Sequence, residues 1–145
     1  MVSALDVAQY VISYCHEKGY PISNLKLQKI LYFIQAEFLV STHTPCFYEN
    51  IEAWEFGPVV PEVYQKYKIF GSSNIGVYGR IIQRTMGLNN REINMINNMV
   101  DDTSKYSATQ LVDITHRQSP WVNAYKRHYN NIITNESIKE FFEKN

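Results

Sequence analysis

"IEAWEFGPVVPEVYQKYKIF", residues 51–70, changes character at its centre. Its first part, Ile51 to Phe56, reads as a strand with Trp54 and Phe56 on one side, since side chains two apart share a face. Gly57-Pro58 is expected to end that strand, because proline cannot continue a central ladder. Pro61 then suits the first turn of a helix, where its missing N–H is no loss, and Val63, Tyr64, Tyr67 and Phe70 carry the helix to Gly71. What the two aromatics do depends on the rest of the chain. Core filling is the first expectation, a partner surface the second and the wall of an active site a distant third.

Helical patterns flank this stretch on both sides. Upstream, Ser3 with Asp6 resembles a capping box, and Val7, Ala8, Val11, Ile12 and Cys15 recur at helical spacing until Gly19 and Pro21 stop the run. Ser23 caps a second helix to about Val40, with Leu27, Ile30, Leu31, Ile34, Phe38 and Leu39 on its apolar face. Lys26, Lys29 and Glu37 lie off that stripe. The connection between the two helices is short enough to make them neighbours. Downstream, "GSSN" is a turn and Val77 to Ile82 a weaker strand. Asn89 with Glu92, and Ser107 with Gln110, are cap-like pairs opening two further helices. Ser119 as cap, with Pro120 behind it, opens a third through "WVNAYKRHY", and Ile138 to Phe142 is a last amphipathic segment. The expected fold is α+β: a single domain over residues 1–145, predominantly α-helical, with a small β-sheet from the central segment.

At 145 residues and 45% hydrophobic, such a chain buries an adequate core without staples. Net charge is zero, with no basic stripe for a duplex. The second helix, "LKLQKILYFIQAEFL", offers few side chains to base edges, so a helix-turn-helix reading is disfavoured and no specific nucleic acid is expected as partner. Two lone cysteines, Cys15 and Cys46, fit a reducing compartment. "ILYFIQAEFLV" is broken by Gln35 and Glu37, and no signal-peptide pattern opens the chain. The expectation is a cytoplasmic protein with no membrane partner.

Local catalytic signatures are missing. His43 and Cys46 have the spacing of one metal-ligand pair but no second pair accompanies them, and His116 and His128 stand apart. Neither phosphate-binding glycine motif occurs, Cys15 falls on an apolar helix stripe, and Asp101-Asp102 reads as a solvated pair at a helix end. No metal, cofactor or catalytic residue is expected. The enzymatic alternative is a small hydrolase centred on His116 with an acid brought near by folding.

Three blocks, "KLQKILYFIQAEFL", "IEAWEFGPVVPEVYQKYK" and "LVDITHRQSPWVNA", occur in an order and spacing that resembles the Panacea domain, the SocA-like antitoxin family that also includes phage-associated GepA-type proteins. The resemblance runs from about Val2 to Lys126. It implies a bacterial or prophage antitoxin that neutralises a cognate toxin protein by direct contact, in some members by delivering it to the ClpXP protease. A phage protein binding another host protein is the remaining alternative. On this reading Tyr32, Trp54, Phe56, Gly57, Pro58, Tyr64 and Tyr67 are candidates for the partner surface. Leu27, Lys29, Pro61, Thr115, His116, Pro120 and Trp121 are the motif positions expected to be structural.

Overall fold

Helix α2, Asn24–Thr42, is the axis around which the rest of the chain is wrapped. The computed structural model describes residues 1–77 and 86–144. Among these, α1 (Ala4–Lys18), α3 (Pro61–Tyr67), α4 (Asn90–Ser104), α5 (Ala108–His116) and α7 (Asn135–Lys144) all pack directly on α2. The short helix α6 (Ser119–Ala124) bridges α5 and α7. Strands β1 (Ile51–Trp54), β2 (Gly57–Val59) and β3 (Ile132–Ile133) form an antiparallel sheet in the order β2-β1-β3, and β2 lies against α2 and α5. The fold is α+β and mainly helical, as the sequence patterns require.

Local chemistry sets the helix starts. Ser3 and Ser23 accept the amides of Asp6 and Lys26, and complete capping boxes stand at Asn89–Glu92 and Ser107–Gln110. Gly19 closes α1 in the left-handed conformation at φ 76°. The core is a single cluster fed from every layer: Val7 and Val11 from α1, Leu27, Ile30, Leu31 and Ile34 from α2, Ala53 from β1, Ile96 and Val100 from α4, and Ile138 from α7.

Several expectations are corrected. Gly57-Pro58 does not end the sheet; it opens β2, the second arm of a tight hairpin whose turn is Glu55-Phe56. Proline is accepted there because β2 is an edge strand. The core face of β1 is Ile51 and Ala53, so Trp54 falls on the other face and Phe56 lies in the turn rather than in the strand. Lys26 and Lys29 are buried, because a helix with neighbours on all sides has no solvated face to put them on. Helix α6 already includes Ser119, follows Gln118 without a side-chain cap and stops at Ala124, so "YKRHY" is loop. Asp101 is not simply solvated: it accepts the Tyr14 hydroxyl at 2.9 Å and the Tyr20 hydroxyl at 2.9 Å, tying α1 to α4. Strand β3 was not foreseen, and the strand expected at Val77–Ile82 falls largely outside the described residues.

Candidate partner-binding surface

The hairpin tip is held by its main chain. On one side, Gln28 accepts the Val60 amide at 2.9 Å and the Lys29 amine donates to the Pro58 carbonyl at 3.1 Å, both from inside the protein. On the other, the Trp121 indole N–H donates to the Trp54 carbonyl at 2.8 Å, and His116 Nε2 lies 2.9 Å from the Glu55 carbonyl. Asn24 orients Gln28 through a 2.9 Å bond to its amide. Four groups from α2, α5 and α6 thus grip the hairpin backbone at Trp54, Glu55, Pro58 and Val60.

Gly57 lets the grip close. Its φ is +107°, and a Cβ there would stand 2.5 Å from Lys29 Cε and 2.9 Å from Thr115 Oγ1. Lys29 is wholly buried, and among the described residues no carboxylate pairs with it. Burial holds its amine down to about 7 from an ordinary 10.5. Thr115, also wholly buried, bonds back to the Val112 carbonyl at 3.0 Å, and Pro120 is buried at the start of α6.

That amine makes stability depend on pH. Between about 7 and 10.5 the unfolded chain binds a proton that the native chain does not, so stability rises with pH across that interval. Lys26, lowered by burial as well, adds to the rise. The buried thiols act oppositely: Cys15 is pushed up to about 11 and Cys46 to about 12, so unfolded thiols ionise first above about 9. Resistance to urea is expected to climb by roughly 2 kcal/mol between pH 7 and pH 9 and then turn over. The Lys29→Met variant should lose most of the climb. A level wild-type profile in that window would contradict the buried amine.

Around the clamped tip the side chains form an aromatic face. Phe56 is 59% exposed, and the half-buried Trp54 meets Tyr64 edge-on at 5.0 Å between ring centroids. Trp54 is steadied by its indole N–H, which donates to Glu52 at 2.9 Å. His116, Trp121 and Tyr125 stack in succession at 4.1 and 4.6 Å. Val122 and Tyr129 are exposed nearby on α6 and the loop behind it. A cleft of about 670 Å³ opens between the tip and that loop, lined by Trp54, Glu55, Tyr125, Arg127, His128 and Tyr129.

The sequence candidates separate accordingly. Trp54 and Tyr64 meet at the surface and Phe56 is exposed in the turn that follows, with Gly57 and Pro58 buried beyond it as the frame. Tyr32 does not join them: it is wholly buried, donates to Gln118 at 2.8 Å and is covered by Phe142 of α7. Tyr67 is also buried, on the inner side of α3. Leu27 is core, and Pro61 opens α3. Tyr125, Arg127 and Tyr129 were missed, since "YKRHY" reads as the end of a helix; its two tyrosines flanking Lys126, Arg127 and His128 were the available signal. Among the described residues, no group of three or more His, Cys, Asp and Glu side chains could hold a metal ion, and no helix is long and apolar enough to cross a membrane.

The chain belongs to the antitoxin SocA-like, Panacea domain family, whose pattern matches residues 27–122. Membership supports an antitoxin role. A curated relative is Antitoxin SocA of Caulobacter vibrioides (strain NA1000 / CB15N), 34% identical over 131 residues, covering 83% of this chain and 69% of that protein. No solved structure matches the chain.

Proposed function

We propose that the protein neutralises a cognate toxin in the cytoplasm by direct contact, using the aromatic face at the β1–β2 tip. The observation that carries this reading is the contrast within the hairpin. Its backbone is fixed at Trp54, Glu55, Pro58 and Val60, yet its turn extends Phe56 into solvent just past Trp54, whose ring meets Tyr64. Rigid aromatics lose little entropy on binding, which makes them effective anchors at a partner surface. His116, the centre of the enzymatic alternative, is bonded to a main-chain carbonyl and stacked on Trp121, an arrangement suited to holding the tip. Delivery of the bound toxin to the ClpXP protease is a second step of this reading.

The test is co-expression with the toxic protein encoded beside it. Wild type should restore growth and co-purify with the toxin. Phe56→Ala, which removes an exposed ring and leaves the core intact, should weaken the complex by about 2 kcal/mol, roughly thirtyfold. Rescue without a detectable complex would defeat direct neutralisation, and full affinity in Phe56→Ala and Trp54→Ala would move the interface elsewhere. Toxin half-life in cells with and without ClpX decides the delivery step: shortening that needs both the antitoxin and ClpX supports it, and an unchanged half-life removes it.

A further inference from the structure

Tyr32 lies away from the contact face, yet its one polar atom is bonded to the parts that hold that face. The ring is wholly buried on α2, and its hydroxyl donates to Gln118 Oε1 at 2.8 Å. Gln118 is the corner between α5 and α6. Its amide donates to the Thr115 carbonyl at 3.1 Å and its carbonyl accepts the Val122 amide at 3.0 Å, so its main chain belongs to both helices. It occupies the cap position of α6, but its side chain makes no cap bond there; its oxygen is turned to Tyr32 instead. The two outer grips on the hairpin flank this corner: His116 just before it, at the Glu55 carbonyl, and Trp121 just after it, on the Trp54 carbonyl.

The inner grips come from α2 itself, through Gln28 and Lys29. Tyr32 follows Gln28 by four residues and Lys29 by three, so all three share one face of that helix. This face bonds the hairpin directly and, a turn further on, bonds the corner whose neighbours grip the hairpin from the other side. The Tyr32–Gln118 bond closes that circuit. Apolar packing of α5 on α2 is non-directional and sets separation better than register, whereas a hydrogen bond sets register through its angle and length. Resting on the reading of the tip as the toxin-binding face, we infer that Tyr32 is a positioning residue for that tip. Through Gln118 it fixes the register of the α5–α6 corner, so that His116 and Trp121 hold the tip where the partner meets it. A buried phenol also needs an acceptor for stability alone, so the test reads position.

The reporter is the Trp121 indole N–H, which makes the bond to the Trp54 carbonyl. The chain has two tryptophans, so Trp121→Phe assigns the two indole signals in a nitrogen–proton NMR spectrum of the full-length protein. Tyr32→Phe keeps the ring and leaves the half-buried Gln118 to water, Gln118→Leu removes the acceptor, and Gln118→Glu keeps one. In Tyr32→Phe and Gln118→Leu the Trp121 indole hydrogen should exchange roughly tenfold or more faster, while the amides of Ile30 and Ile34 on α2 keep their rates. Gln118→Glu should stay near the wild-type rate, and the double variant Tyr32→Phe/Gln118→Leu should be no faster than the faster single variant. An unchanged indole in Tyr32→Phe, equal acceleration along α2, Gln118→Glu as fast as Gln118→Leu, or additive effects in the double variant would overturn the inference and leave the bond a stability contact. Affinity for the toxic protein encoded beside the chain, measured on the same purified variants, separates the two levels. A faster indole with weakened toxin binding in Tyr32→Phe supports both. A faster indole with full toxin affinity, or a wild type that forms no complex, keeps Tyr32 as the positioning residue and removes the tip as the toxin-binding face.

Discussion

Gly57→Ala should lower the melting temperature by about 10 °C, a loss on the order of 3 kcal/mol for a chain of this size. Two costs add. An L-residue at φ +107° is strained, and the new methyl would stand 2.5 Å from Lys29 Cε and 2.9 Å from Thr115 Oγ1. A lysine can usually swing aside, but this one is wholly buried and bonded to the Pro58 carbonyl, and Thr115 is fixed by its own bond to Val112. Relief has to come from the hairpin moving outward, which breaks the clamp on the tip. Rescue by the variant should fall together with its stability. A melting temperature within about 2 °C of wild type would mean that the backbone at Gly57 is not held as described.

A loss of similar size is expected for Gln35→Leu, which nearly conserves volume. Gln35 is wholly buried and completes three bonds to the loop after α2: its oxygen accepts the Cys46 amide at 2.8 Å and the Phe47 amide at 3.2 Å, and its amide donates to the Phe47 carbonyl at 2.9 Å. Leucine leaves those backbone groups unpaired, each costing about 1–3 kcal/mol less whatever water recovers, so roughly 3 kcal/mol in total is expected. The local signature is specific. Amide exchange at Cys46 and Phe47 should accelerate more than at Leu31 or Ile34, and the Cys46 thiol, buried in the native chain, should become reactive to a thiol reagent. Uniform acceleration along α2 would instead mean a general loss of packing.

Helix starts were legible because a cap is decided within four residues. Ser3, Ser23, Asn89 and Ser107 each carry their partner amide, and for two of them a reciprocating side chain, three positions on. The character of α2 was not legible in the same way. Lys26 and Lys29 lie off its apolar stripe and read as solvent-facing, and Gln35 reads as a break in a hydrophobic run. Their partners are main-chain groups at Ser104, Pro58, Cys46 and Phe47, which no pattern within the helix can announce. The tip was misjudged for a related reason. Trp54 and Phe56 share a strand face only if the strand continues through both, and Gly57 turns the chain early enough to leave Phe56 outside. The basic loop escaped because Ala124 ends α6 sooner than its residues suggest. Positions decided by distant backbone were hidden, and positions decided by near neighbours were not.

Every tether on the hairpin grips a main-chain group rather than a side chain. Trp121, His116 and Lys29 reach carbonyl oxygens, and Gln28 accepts an amide hydrogen. Exchanging the side chain at Phe56, or at Glu55 whose carbonyl alone is held, therefore leaves the tethers in place. The scaffold behaves as a socket with interchangeable inserts: Gly57, Pro58 and the gripping residues set where the tip stands, while neighbouring positions are released to vary. If the tip is the contact face proposed above, a lineage can rewrite its outward residues one at a time, with each intermediate still folded.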